Sequence, residues 1–287
     1  FMASRLYRVL VRHWMKRFRR AGHAPHLRAV FLGDYVSTEV ITKGIYEKHQ
    51  LDVLTREVFG HLKDAPVCLD IGANIGNHAC FFAQHFERVI AFEPNPVVHA
   101  LLAVNTMGTS VERHQMGLSD QQGTLWFRQD NVNLGASAIV DTEEDADFSI
   151  PVDTLDSFCG KHGIDRIDFI KIDVEGHEAN VLRGACETLK AHGPVLATEG
   201  LFRKDPALGE VVEKALRAAG YAYFYGLVPR HPLAAWLAAR GWRLNSGLMA
   251  VLLPEDVKRA RKLEPRAHVS GENHALFIAT TTPLPVQ

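Results

Sequence analysis

The stretch CLDIGANIGNHACFF, residues 68–82, decides the fold. Cys68-Leu69-Asp70-Ile71 reads as a buried strand that breaks into a glycine loop, and IGNHACFFAQHF beyond it carries helical periodicity. Gly72, Asn74 and Gly76 fill the three positions of a G-x-G-x-x-G turn, with asparagine in place of the middle glycine. That glycine normally lets a pyrophosphate approach the backbone, so a side chain there argues against such a ligand. Asparagine is one of the few residues that tolerates the left-handed conformation this turn demands.

Outward from the loop, the apolar runs VCLDIG, RVIAFE, VERHQMGL, IDFIKIDV, PVLATEG, YAYFYGL and GLMAVLLP alternate with helical segments. The latter are IGNHACFFAQHF, PVVHALLAVNTM, HEANVLRGACETLKAH and DPALGEVVEKALRAAG. The order predicts an α/β fold with a doubly wound, seven-stranded, mostly parallel sheet. Residues 118–152 interrupt it with glycine, asparagine and short β runs, which predicts hairpins beside the ligand crevice, and DTEEDADF reads as a solvated loop.

Residues 1–20 place Met2, Leu6, Val9, Leu10, Trp14 and Phe18 at helical spacing, with Arg5, Arg8, Arg12, Lys16 and Arg19 along another side. This basic amphipathic helix forms an N-terminal extension. Its apolar stripe suits packing on the domain, a homo-oligomer contact or a peripheral membrane contact. The chain therefore divides into a lead-in over 1–50 and a main domain over 51–287.

A chain of 287 residues with 47% hydrophobic content buries one good core. A net charge of −1 gives no global reason to expect nucleic acid as a partner. Cys68, Cys80, Cys159 and Cys186 are too widely spaced for a C-x-x-C site and read as small core hydrophobes in a reducing compartment. No H-x-x-x-H pair occurs among the 15 histidines, and no apolar run is long enough for a signal peptide or membrane span, so a cytoplasmic protein is expected.

The second strand ends in AFEPNP, which places Glu93 where an acid accepts hydrogen bonds from both hydroxyls of a ribose. A nicotinamide dinucleotide and S-adenosylmethionine both offer that diol. The third strand closes with GLSD, putting Asp120 in position for an adenine amine with Ser119 beside it, although Ser-Asp is also common turn chemistry.

LDIGANIGNHACFFA, AFEPNP, GLSD, VDTLDSF, IDFIKIDVEGHEANVLRGA and TEG together resemble the FkbM family of S-adenosylmethionine-dependent methyltransferases, from about Gly44 to Gly200. The resemblance implies a Rossmann-like class I methyltransferase fold and O-methylation of a hydroxyl on a saccharide or polyketide-like natural product. The cofactor-binding set is then Asp70, Gly72, Ala73, Asn74, Gly76, Asn77, Glu93, Pro94, Ser119 and Asp120.

Methyl transfer to an alcohol requires positioning, exclusion of water and removal of a proton. In DFIKIDVEGHE, Lys171 and Asp173 share one side of the strand and Asp173 sits at its carboxyl end. His177 follows, and Glu199 ends the next strand, so Asp173, His177 and Glu199 are the catalytic candidates. Glu178 reads as a first-turn acid favouring the helix dipole, and Lys171 as an ion-pair partner of Asp173. A divalent cation between Asp173 and Glu199 is chemically conceivable. No aspartate-aspartate-asparagine constellation accompanies them, so no metal is expected. A nicotinamide enzyme would need a middle glycine and a Tyr-x-x-x-Lys pair, and a non-catalytic binder would lack the crevice acids. Trp126, Tyr225 and Trp236 fill core positions or stack on an acceptor sugar.

Overall fold

The computed structural model describes residues 29–31, 34–62, 64, 66–128, 138–140, 142–198, 206–230, 261–268 and 276–286. The expected basic helix over 1–20, the run GLMAVLLP, Trp236 and Glu199 lie outside the described residues.

Among the described residues, the α-helices α1 (Tyr35–Lys43) and α2 (Lys48–Glu57) precede the first strand. Then come β1 (Val67–Ile71), α3 (Asn77–Phe82), β2 (Arg88–Phe92), α4 (Pro96–Asn105) and β3 (Val111–His114). Short strands β4 (Gly117–Leu118), β5 (Gly123–Arg128), β6 (Ala138–Val140) and β7 (Phe148–Asp153) follow. The second half runs α5 (Leu155–His162), β8 (Phe169–Ile172), α6 (Glu178–Arg183), α7 (Cys186–His192) and β9 (Val195–Thr198). It ends with α8 (Pro206–Ala218), β10 (Tyr223–Pro229), β11 (Arg261–Arg266) and β12 (Phe277–Thr280).

The main sheet has the order β11-β10-β12-β9-β8-β1-β2-β3 among the described residues. β3, β2, β1, β8 and β9 are parallel, and β12, β10 and β11 add antiparallel pairings. The doubly wound, mostly parallel α/β fold is the expected one. Among the described residues the sheet has eight strands, where the sequence suggested seven: β12 lies against β9, and β11 extends the edge beyond β10. Leu69, Ile71, Ile90, Phe92, Ile170 and Ile172 pack on one face of this sheet; Cys68, Val89, Ala91 and Phe169 pack on the other. Burial on both faces explains why these strands read as continuous apolar runs rather than alternating ones.

Two expected elements divide. VERHQMGL gives β3 and then β4, which leaves the main sheet to pair with β7 in a four-stranded sheet ordered β4-β7-β5-β6. This second sheet fulfils the expected hairpins of 118–152, and the acidic run forms an exposed turn over Glu143–Asp145. HEANVLRGACETLKAH splits into α6 and α7 at Gly184, whose missing Cβ would lie 1.9 Å from the Ser119 carbonyl oxygen. The Asp156 carboxylate then accepts the N–H groups of Glu187 and Thr188 at the start of α7, at 3.1 and 2.7 Å.

The four cysteines are free thiols, with Cys68, Cys80 and Cys159 buried. Among the described residues no helix is long and apolar enough to cross a membrane.

Candidate active site

Strand order reverses between β1 and β8, and a doubly wound sheet opens its ligand crevice at the carboxyl ends of the strands flanking such a point. The crevice here encloses about 1210 Å³, its open mouth included. The glycine loop forms one side. Gly72 and Ala73 donate their N–H groups to the Phe92 carbonyl at 3.0 and 2.9 Å, which turns the chain sharply off β1. Gly72 has φ 79°, and a Cβ there would lie 1.8 Å from the carbonyl oxygen of Asp173. Backbone thus presses on backbone, and only glycine fits. Asn74 takes the left-handed conformation expected of it, with φ 50°.

Glu93 faces this loop and is 8% exposed. Its Oε2 accepts the Asn74 N–H at 3.0 Å and its Oε1 the Asn95 N–H at 2.9 Å. Burial pushes its carboxyl up to about 7, against the pull of those two backbone donors. Asp70 is fully buried behind the crevice, with Lys171 Nζ 3.7 Å from its Oδ1; the same ammonium lies 3.0 Å from Asp173 Oδ2. Lys171 therefore bridges two carboxylates at the crevice floor. Register explains this, because Asp70 and Lys171 are direct neighbours on β1 and β8.

Asp173, Val174, Glu175 and His177 line the opposite side. Their loop reverses through two positive φ values, 50° at Glu175 and 100° at Gly176. Glu178, 1% exposed, holds it: Oε1 accepts the N–H groups of Val174 and Gly176 at 3.4 and 3.2 Å. The residue is a loop clamp as well as a first-turn acid, a role that sequence spacing does not reveal.

His177 Nε2 lies 2.9 Å from Ser119 Oγ, and Ser119 donates its hydroxyl to Asp120 Oδ1 at 3.2 Å. A serine has one hydroxyl proton, so Ser119 accepts from Nε2–H and the basic lone pair of His177 resides on Nδ1. Burial pushes the imidazole below its ordinary value, against the upward pull of Asp120. Asp120 itself is exposed, and Arg183 and Asn180 each donate to its Oδ2 at 3.3 Å. Burial would raise this carboxyl, yet bonds from Ser119, Asn180 and Arg183 hold it below the usual range.

Of the expected residues, Gly72, Ala73, Asn74, Asn77, Glu93, Pro94, Asp173 and His177 line the crevice. Asp70 lies behind it, and Gly76 with φ 90° starts α3. Ser119 and Asp120 stand behind His177 rather than on the wall. Additional wall comes from Tyr35, Val36 and Tyr46 of the lead-in and from Phe127, Ile139, Ile150 and Val152 of the second sheet. Asn77 explains how the lead-in is fixed: its Oδ1 accepts the Tyr46 N–H at 3.0 Å and its Nδ2 donates to the Tyr46 carbonyl at 3.2 Å. No motif marks these positions in the sequence.

The Methyltransferase FkbM domain model matches residues 70–223, more than half of the chain. The chain belongs to the FkbM methyltransferase family. It is similar to the hexuronic acid methyltransferase AglP of Haloferax volcanii, at 32% identity over 128 residues, 44% of this chain and 52% of that protein. The 2-O-methyltransferase NoeI of Sinorhizobium fredii is 31% identical over 147 residues, covering 44% of this chain and 60% of NoeI. The matched stretches thus span just over half the length of these two relatives. The 31-O-demethyl-FK506 methyltransferase FkbM of Streptomyces tacrolimicus is 27% identical over 225 residues, 65% of this chain and 81% of that one. A crystal structure of methyltransferase FkbM from Methylobacillus flagellatus aligns with TM-score 0.42 and 23% identity over 57% of this chain and 41% of that one.

Membership of this methyltransferase family points to S-adenosylmethionine as the cofactor. The residues present fit that group. Glu93 is a buried carboxylate on the crevice wall whose oxygens each hold one backbone donor and keep lone pairs for ribose hydroxyls. The apolar side chains of Phe92, Val98 and Leu118 line the same space.

Proposed function

We propose that the protein methylates a hydroxyl oxygen of a saccharide or polyketide-like acceptor, with His177 as the general base. The observation that carries this reading is the Asp120–Ser119–His177 chain, which presents a neutral imidazole of defined tautomer at the crevice. S-adenosylmethionine supplies an electrophilic methyl group and a neutral leaving group. Glu93 and the glycine loop hold its adenosine. Asp173, fixed by Lys171 and by its N–H bond to the Ile71 carbonyl at 3.0 Å, orients the acceptor hydroxyl. His177 Nδ1 takes the hydroxyl proton as the oxygen attacks, and the apolar wall keeps competing water away.

Support for a hydroxyl acceptor comes from the relatives' names, which specify a hexuronic acid, a 2-O position and a 31-O position. The test is S-adenosylhomocysteine release from a panel of saccharides and polyketide aglycones, followed by mass and linkage analysis of the product. Methylation at nitrogen or carbon would overturn the assignment. Calorimetry with S-adenosylmethionine against NAD checks the cofactor separately.

A further inference from the structure

α4 is apolar on every side: of Pro96–Asn105 only His99 and Asn105 are polar, a pattern that suits a helix surrounded by protein rather than one at a surface. Its inner side meets the core. Val98, Leu102 and Asn105 are buried, and Val98 and Leu101 pack with Val40, Ile75 and Cys80. The opposite side presents Val97, Ala100 and Val104, spaced as one helical stripe, and Met107 follows just past the helix end. Val97, Val104 and Met107 are 50, 42 and 56% exposed. α4 bears no Lys, Arg, Asp or Glu, so no long charged side chain of its own shields the stripe.

The lead-in attaches at the end of this same helix. Asn105 Oδ1 accepts the Ala29 N–H at 2.7 Å, its Nδ2 donates to the Ala29 carbonyl at 2.9 Å, and Val30 and Phe31 pack on the cluster beneath α4. The chain before residue 29 therefore departs beside the stripe. Residues 21–28 separate that point from the amphipathic segment 1–20 and reach at most about 26–29 Å, against about 15 Å for the full length of α4. All of α4 is within reach of residue 20. Leu6, Leu10 and Trp14 supply a matching apolar row at i, i+4 and i+8, with the five Arg and Lys side chains along another side.

The tether decides between this occupant and its rivals. A short linker gives the segment an effective concentration on the order of millimolar at α4, which a separate molecule does not have. The exposed parts of four side chains fall well short of the roughly 800 Å² per partner that a stable dimer buries. An anionic membrane finds no basic side chain on α4 to hold it.

We propose that residues 1–20 fold as a helix whose apolar stripe packs in cis on Val97, Ala100, Val104 and Met107, with its basic side turned to solvent. The docked helix secures the attachment at 29–31, from which Tyr35 and Val36 reach the crevice wall.

The test uses the full chain carrying Cys186→Ser, which leaves only buried thiols. Val104→Cys is combined with Leu6→Cys, Leu10→Cys or Trp14→Cys, and with Arg12→Cys as the control from the basic side. Dilute protein is treated with a short bismaleimide, and crosslinked peptides are counted by mass spectrometry. At least one stripe pair should crosslink within a single chain several-fold more than the control. Separately, Leu10→Asp and Val104→Asp should each lower the melting temperature by about 2–4 °C, and the double variant should fall no further than the worse single one. Additive losses, stripe crosslinks no more frequent than the control, or crosslinks that join two chains overturn the proposal, the last in favour of a second copy. Flotation with phosphatidylserine–phosphatidylcholine vesicles accompanied by loss of the crosslink overturns it in favour of a membrane surface.

Discussion

Ser119 Oγ stands 2.9 Å from Nε2 of His177 and hands its own proton to Asp120, so a carboxylate outside the crevice sets the tautomer of a histidine inside it. His177→Gln is expected to lower kcat by about two to four orders of magnitude, the scale of lost general base work. Ser119→Ala should cost less and leave cofactor affinity intact. The base must be neutral, so activity falls as pH drops through an imidazole pKa below the ordinary value of about 6.5. Asp120→Asn removes the charge that raises that pKa and moves the acid limb to lower pH. A pH–rate profile checks the sign, and a limb displaced upward would reject the relay.

Asp173→Asn keeps shape and hydrogen bonding but not charge. Turnover is expected to fall by roughly two to four orders of magnitude if the anion fixes the acceptor during proton transfer. Cofactor affinity should largely survive, because Lys171 retains Asp70 3.7 Å away. Calorimetry and single-turnover kinetics on the same preparation separate the two effects.

Glu93 links cofactor affinity to pH. Ribose hydroxyls donate to its ionised form, whereas burial pushes the free carboxyl up to about 7. Affinity for S-adenosylmethionine should be complete above that pH and weaken by up to about tenfold per unit below it. Glu93→Ala should lose on the order of 1.5–3 kcal/mol of binding and flatten the dependence. Calorimetric titrations between pH 5.5 and 8.5, about three units, cover the window.

Gly72 and Gly176 both have positive φ but differ in surroundings. A Cβ on Gly72 meets the Asp173 carbonyl oxygen at 1.8 Å, whereas none of the described residues lies within 4 Å of one on Gly176. Gly72→Ala should destabilise by roughly 2–4 kcal/mol, conformational strain plus overpacking, and Gly176→Ala by about 1 kcal/mol. Denaturant melts of both variants measure the difference.

Glu178→Ala leaves two loop N–H groups without their acceptor and should cost about 1–3 kcal/mol of stability together with acceptor turnover. Glu178→Gln behaves differently. Burial raises this carboxyl above its unfolded value, so ionisation destabilises the fold as pH rises, and glutamine removes that penalty while keeping an acceptor oxygen. Glu178→Gln should therefore melt no lower than wild type at neutral pH.

The sheet and both sides of the crevice were legible because each rests on local chemistry. DIGANIG needs left-handed backbone and a glycine, EPNP ends a strand with an acid and caps α4 through Asn95, and β8 has a continuous apolar pattern broken by Lys171. What stayed hidden depends on contacts between distant segments. VERHQMGL has no internal reason to break; β4 leaves because Ser119 N–H bonds to the Asp153 carbonyl at 2.9 Å and Gly117 packs on Val152. Ser119 and Asp120 read as adenine-side residues from strand order alone, whereas the position of α6 turns them toward His177, Asn180 and Arg183. β11 and β12 pair across long stretches of chain, which no periodicity encodes.

The two bonds by which Asn77 grips the Tyr46 backbone bear on how the protein can be divided. The family match starts at residue 70, yet Tyr35, Val36 and Tyr46 already build the crevice, and α2 runs across position 50. The matched block is therefore not a portable module. Cut at its own margin and grafted elsewhere, it would carry the cofactor loop but arrive with an open flank, and the acceptor would meet solvent where this chain presents two tyrosines.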